Sequence, residues 1–198
     1  VDNEAFRAAA AVVRQRAGTS KSDPGRPRRL LFVGKLIERK HPFDLLQAAA
    51  QVRVPGGQVE VAFAGAGELQ DALTKAAAAT GVRAHFHGFA NQSELPAIYA
   101  AADVIVLPSD AQEIWGLVIN EAMACGRPVI VSDKCGAAAD MIKDNENGFV
   151  FKAGDENDLY NCMEKMILAD TSSMGARALE TVQRFSYASF TSALQSLN

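Results

Sequence analysis

Short, almost wholly apolar runs alternate along this chain with longer stretches in which apolar residues return every three or four positions. The short runs, RLLFVG, VEVAFAG, VRAHFHG, DVIVLPS, PVIVSD and GFVF, have the length and β-rich content of strands. The longer ones, PFDLLQAAAQV, ELQDALTKAAAAT, SELPAIYAAA, WGLVINEAMACG, AAADMIKD and DENDLYNCMEKMILA, have the helical period. RLLFVG and VIVLP lack the in-and-out alternation of a half-exposed strand, which suits strands covered on both faces. Helical spacers between such strands are what parallel crossovers require. The pattern predicts an α/β fold built on one doubly wound parallel sheet.

Ahead of the first strand, Glu4 to Arg16 read as an Ala-rich helix and GTSKSDPGRPRR reads as a polar loop. Both are expected as a lead-in over residues 1–28, outside the core of a single domain over residues 29–198. Ligands of doubly wound sheets gather at the carboxyl ends of the strands. The segments to search are therefore Gly34–Lys40, Gly65–Glu68, Gly88–Asn91, Ser109–Gly116 and Ser132–Gly136.

Composition narrows the function. Hydrophobic residues make up 48% of the 198 positions and charged ones 22%, enough for a sizeable core. A net charge of −3 disfavours binding a nucleic-acid backbone by counterion release, so any phosphate must be held locally. Cys125, Cys135 and Cys162 form no C-x-x-C pair and have no neighbouring His, so they read as buried thiols in a reducing, cytoplasmic setting. No apolar run approaches the roughly 20 residues that span a bilayer, and the first residues lack a signal-peptide core. Neither a membrane span nor secretion by that route is expected.

The stretch QEIWGLVINEAMACGRPVIVSD carries two carboxylates, Glu113 in a strand-end loop and Glu121 inside the next helix, whose start is marked by Trp115 and Gly116. Unpaired amides at a helix start carry partial positive charge, so those of Gly116, Leu117 and Val118 suit a phosphate oxygen. Glu121, a turn or more further in, only accepts hydrogen bonds, which suits a vicinal diol such as a ribose 2′,3′ pair. An ordinary amphipathic helix with its Glu residues in water is the competing reading; the flanking Leu117, Val118, Ala122 and Ala124 weigh against it. In GKLIERKH, Lys35 and Lys40 lie five apart across a short loop, so both ammonium groups can converge on one diphosphate. Simple solvation competes here too, and Arg29 and Arg39 are expected to be solvated.

Other familiar patterns fail. Gly65-Ala66-Gly67 has Gln70 where a dinucleotide fingerprint needs its third glycine, and Gly34-Lys35 lacks the spacer of a P-loop, which disfavours a dehydrogenase and an ATPase. His85 and His87 share one strand face without an evident third metal ligand, and no Ser-His-Asp or Cys-His order stands out. The first core strand ends in Gly34-Lys35, not in the acidic pocket of a signalling receiver.

Taken in order, VDNEAF, FVGKLIERK, VEVAFAGAGE, FHGFANQSELPAIYAAADVIVLPS, EIWGLVINEAMACGRPVIVSD, GAAADMI, NGFVFKAGD and RFSYASF resemble the carboxyl-terminal domain of the group 1 glycosyltransferases, family 4, of the GT-B fold. The resemblance covers nearly the whole chain. It implies a Rossmann-like half that binds the donor for retaining transfer of a hexose from a nucleotide diphosphate sugar. The acceptor, a glycan, lipid or small molecule, is then held mostly by an amino-terminal domain, to which any peripheral membrane contact also falls. The present half alone is expected to bind donor without transferring sugar.

Residue by residue, the resemblance implies that Lys35 and Lys40 neutralise the leaving diphosphate, and that Glu113 faces the donor sugar's hydroxyls and the developing positive charge. Glu121 is implied on the ribose, and Gly88, Phe89 and Asn91 in the loop that cups the base. Gly34, Trp115, Gly116, Leu117 and Val118 complete the expected donor contacts. Lys35 stands where the family usually has Arg, His41 and Pro42 follow the second Lys where many members have Gly, and Trp115 stands where Phe is commonest. No cofactor beyond the donor is expected. No metal is expected either, since the chain has no Asp-x-Asp cluster and the lysines can take over its role. The alternatives are a non-catalytic nucleotide or sugar-phosphate binding module and a nucleotide-sugar epimerase of similar fold, against which the paired Glu pattern argues.

Overall fold

The computed structural model describes residues 1–16, 26–53, 59–110 and 113–186. Most of the loop expected over GTSKSDPGRPRR, Gln112 and the end of RFSYASF lie outside the described residues. The strands are β1 (Arg28–Val33), β2 (Val59–Ala64), β3 (Arg83–Gly88), β4 (Val104–Leu107), β5 (Val129–Ser132) and β6 (Gly148–Phe151). They form one parallel sheet in the order β3-β2-β1-β4-β5-β6. The helices are α1 (Asn3–Arg16), α2 (Pro42–Gln51), α3 (Gln70–Thr80), α4 (Leu95–Ala101), α5 (Leu117–Ala124), α6 (Ala138–Met141), α7 (Glu156–Leu168) and α8 (Thr171–Gln183). This is the doubly wound, Rossmann-like α/β fold that the alternation predicts, with α8 as an addition beyond the predicted elements.

Successive strand residues point to opposite faces, and here both faces are covered. Leu31, Val33, Ile105, Leu107, Val129 and Val131 pack with α1, α4, α5 and α8, whereas Leu30, Phe32, Val104, Val106 and Ile130 pack with α2, α3 and α7. That two-sided burial is why the strand runs show no alternation. Local signals place the helix starts. Pro42 opens α2, Asp155 accepts a hydrogen bond from the Asp158 amide to cap α7, and Asp170 accepts from the Ser172 and Ser173 amides to cap α8.

The first helix is a correction. Expected as a lead-in outside the core, α1 packs into it: Phe6 and Ala10 are buried among Tyr99, Met123 and Val182. Asn3 Nδ2 donates to the Val182 and Phe185 carbonyls at 3.0 and 3.3 Å, and Arg14 donates to the Cys125 carbonyl at 2.6 Å. Its buried positions, Asn3, Phe6 and Ala10, with Ala9 and Val13 half-buried, recur three or four apart among exposed alanines, so the helix offers little apolar contrast in sequence. Among the described residues no helix is long and apolar enough to cross a membrane.

Strand order reverses between β1 and β4. The crossovers from these two neighbours leave to opposite faces, which opens a crevice above their carboxyl ends. The loop after β1 and the loop after β4 line it.

Candidate functional site

The loop after β1 is stitched to the loop after β2. The Gly34 amide donates to the Ala64 carbonyl at 3.0 Å, Leu36 to Ala66 at 3.0 Å, and Leu69 back to Leu36 at 3.1 Å. A Cβ on Gly65 would lie 1.8 Å from the Gly34 carbonyl oxygen, at a φ of 150°, so the Gly65-Ala66-Gly67 stretch exists for close backbone approach. Gly34 thus lies at the mouth of the crevice. Lys35 beside it is exposed and forms no ion pair with any described residue.

A short 3-10 turn over Glu38–Lys40 then brings Lys40 inward, with its amide on the Ile37 carbonyl at 3.1 Å. Its ammonium is in contact with a carboxylate oxygen of Glu113, and the two side chains keep only 14% and 16% exposure. Burial, and after it the charge of Arg39, hold Lys40 below the ordinary lysine value. The backbones meet as well: Asp110 donates to the Arg39 carbonyl at 3.1 Å, and Glu113 to that of Asp110 at 3.1 Å. Arg39, read as solvated, is exposed, yet its carbonyl ties the two loops together. Of the two lysines expected to converge on one diphosphate, Lys40 pairs with Glu113 and Lys35 lies exposed.

Glu113 and Trp115 are pinned from the other side. Gly136 donates to the Glu113 carbonyl at 3.1 Å, Ala137 to that of Trp115 at 3.0 Å, and the Cys135 thiol also points at the Trp115 carbonyl, at 3.1 Å. Gly116 turns into α5 with a left-handed φ of 84°, and a Cβ there would come within 2.6 Å of Cys135 Sγ. No side chain caps this helix start, so the amides of Gly116, Leu117 and Val118 stand as an anion-seeking group at the crevice. Leu117 is exposed, Val118 half-buried. Trp115 turns its ring toward Phe185, 5.9 Å away, and donates its indole N–H to Asn120 at 2.8 Å, so that donor is engaged within the protein.

Glu121 is more deeply placed than a cleft-wall residue, with 7% exposure. Tyr99 of α4, itself fully buried, donates its hydroxyl to Glu121 Oε2 at 2.7 Å. Burial raises the carboxyl's pKa, opposed by the Tyr99 hydrogen bond. Burial and the adjacent carboxylate hold Tyr99 well above the usual phenol value, so it stays a donor.

Past Gly88 the third loop presents Phe89, 81% exposed and free to meet a planar ligand. Asn91 is used differently. Its side-chain oxygen accepts from the Ser93 amide at 3.0 Å and from the Ser93 hydroxyl at 2.6 Å, while its own amide donates to Glu94 Oε2 at 2.9 Å. This reciprocal pairing has the form of a capping box and launches α4. His85 and His87 contact edge to face with ring centres 4.4 Å apart; burial, then the neighbouring His85, lowers the pKa of His87. Among the described residues no third His, Cys, Asp or Glu joins them as a metal group.

The structure thus joins Lys40 to Glu113 and places Gly34 and the Gly116–Val118 helix start after the neighbouring strands β1 and β4. Glu121 stands one helical turn behind them. Neither Tyr99 nor Cys135 carries a local signal of its contacts here, because a Tyr in an apolar helix and a lone Cys look like ordinary core residues. All three cysteines are buried free thiols, as expected. Burial pushes Cys125 up to about 12 and Cys162 to about 11, so neither is poised as a nucleophile.

Comparison with known proteins follows the same outline. The family model described as glycosyl transferases group 1 matches residues 15–186. The sulfoquinovosyl transferase SQD2 of Arabidopsis thaliana is 30% identical over 98% of this chain and 38% of its own length. A D-inositol 3-phosphate glycosyltransferase of Mycolicibacterium vanbaalenii is 32% identical over 82% of this chain, again 38% of its own. Among solved structures, HepE of Anabaena in complex with UDP and glucose has a TM-score of 0.75 at 25% identity, over 96% of this chain and 52% of that one. Sucrose-phosphate synthase of Thermosynechococcus elongatus gives 0.73 at 28% identity, over 94% and 47%. The chain therefore spans about half, or less, of the proteins it matches. With a family match over most of its length, carried on the sheet order and crevice described above, this chain belongs to the group 1 glycosyltransferases and corresponds to the carboxyl-terminal domain of their GT-B fold.

Proposed function

We propose that this domain binds a nucleotide diphosphate sugar and serves retaining transfer of its hexose to an acceptor held by a second, amino-terminal domain. The observation that carries the proposal is the Lys40–Glu113 pair at the strand-order reversal, beside the uncapped amides of α5. An ammonium and a row of amides suit a diphosphate, and a carboxylate next to them suits a sugar. The structures of HepE with UDP and with UDP-glucose support a donor of this class.

In this reading the diphosphate enters between Lys40 and the Gly116–Val118 amides, with Lys35 reaching in from the rim. Its arrival competes with Glu113 for Lys40 and turns the carboxylate toward the sugar. As the bond from the sugar's anomeric carbon to the diphosphate oxygen breaks, the electron pair leaves with the phosphate. The ammonium groups and amides stabilise that charge, and Glu113 stabilises the positive charge growing on the sugar ring. The acceptor hydroxyl then bonds the anomeric carbon on the face the diphosphate left, and its proton passes to the departing diphosphate oxygen on that same face. Metal-independent catalysis follows if lysines and amides together suffice to balance the leaving charge.

Calorimetric titration of the chain with UDP, GDP and ADP tests donor binding, with saturable heat expected for at least one. Silence with all three would overturn it. In an enzyme carrying both domains, Lys40→Ala should lower turnover about a hundredfold or more; near-normal turnover removes Lys40 from the mechanism.

A further inference from the structure

The geometry points to Tyr99 as a positioning residue for the nucleotide: we infer that its hydroxyl holds one oxygen of Glu121 so that the carboxylate is aimed at the ribose diol. This rests on the reading of Glu121 as the ribose contact.

Glu121 lies on α5 and Tyr99 on α4, and their 2.7 Å hydrogen bond crosses the interior between those helices. Among the described residues no lysine or arginine side chain pairs with Glu121. A phenol is therefore the side chain that orients the carboxylate. The choice has a chemical consequence. A cation there would draw the carboxylate into a charge-assisted pair, whereas a single neutral donor on a rigid ring fixes one oxygen and leaves the second able to accept from a diol. Tyr99 is itself immobilised, being fully buried with the Phe6 ring tilted at 56° against it, centre to centre 6.2 Å. Helix α4 starts from the Asn91–Glu94 turn, directly after the exposed Phe89. Tyr99 thus links the loop expected over the base to the carboxylate expected on the ribose, and sets one against the other as a unit.

The test compares UDP with 2′,3′-dideoxy-UDP on the chain and on its Tyr99→Phe variant, with melting temperatures recorded alongside. The unsubstituted chain should prefer UDP. In Tyr99→Phe, affinity for UDP should fall about tenfold, the scale of one hydrogen bond to a charged group, while affinity for the dideoxy probe stays within about twofold. Equal losses on both probes mean a merely structural hydroxyl and overturn the inference, leaving the Glu121 reading intact. A chain that binds both probes alike before any substitution, or binds neither, overturns the Glu121 reading instead. Should Tyr99→Phe fail to fold, Phe6→Leu keeps the hydroxyl but loosens its support. It should give a smaller loss confined to UDP, and a loss shared by both probes again overturns the inference.

Discussion

Lys40 and Glu113 reach each other from loops on either side of the sheet's reversal point, one leaving β1 and the other β4, and neutralise each other in a place largely shielded from water. Each is the other's solution to burial, since a lone charge there would lose hydration without compensation. The pair also keeps the crevice competent. A diphosphate can replace Glu113 as the partner of Lys40, and a sugar can replace Lys40 as the partner of Glu113, without either charge having to be created on binding.

The pairing has a thermodynamic signature. Lys40→Met and Glu113→Gln should each destabilise the chain by about 1–3 kcal/mol, and the double variant by less than their sum, with a coupling of about 1–2 kcal/mol. A thermal-unfolding cycle measures this. Additivity within about 0.5 kcal/mol would mean the two side chains do not depend on each other.

Gly65→Ala tests the close approach of the first two loops. With the added carbon 1.8 Å from the Gly34 carbonyl oxygen, backbone must move, and a loss of about 3 kcal/mol or more is expected. Melting should fall by roughly 6–12 °C. Nucleotide affinity should fall with it, because the displaced loop carries Lys35 and leads to Lys40.

His41 adopts a left-handed conformation, φ 49° and ψ 45°, which a glycine would take up without a Cβ penalty. His41→Gly should relieve about 0.5–1 kcal/mol, although it gives up the 3.5 Å contact of the ring with Asp44. A melting temperature about 1–4 °C higher is expected. His41→Val, branched at Cβ, should move it the other way.

Glu121→Gln should raise stability at neutral pH while removing the preference for a ribose diol. Burial raises the carboxyl's folded-state pKa above its ordinary 4.5. A group shifted upward contributes its stability below the unfolded-state pKa and loses it as pH rises through the folded-state pKa. At pH about 7–8 the native carboxylate is therefore a burden that Gln lacks. The groups facing it are Tyr99 from α4 and Cys125 beyond the end of α5, and neither changes that sign. Melting curves of the two proteins should converge below pH about 4.5. A native protein that melts higher than Glu121→Gln throughout would show that the carboxylate is better accommodated than its burial indicates.

Some of the site was legible locally and some was not. Asn91 illustrates a signal that was present but unread: Asn-Gln-Ser-Glu before an apolar run is a capping-box pattern, and the structure uses Asn91 for that turn. Gly65 and Gly67 looked like a broken dinucleotide fingerprint because their partners, the carbonyls of Gly34 and Leu36, lie on another strand's loop. The motif that places Trp115 among the implied donor contacts says nothing of its intramolecular partners, Asn120 on the indole N–H and Phe185 beside the ring.

By itself the sequence determined the order and kind of the elements, hence a parallel sheet with helices on both faces and a carboxyl edge where chemistry would gather. Periodicity, helix caps and two-sided apolar strands are properties of neighbouring residues, so they can be read along the chain. Only the tertiary structure decided that Lys40 meets Glu113 across 73 positions, that Tyr99 orients Glu121 across 22, and that α1 belongs to the core. Those outcomes depend on which strand lies beside which and how closely the helices approach, and no local period encodes either.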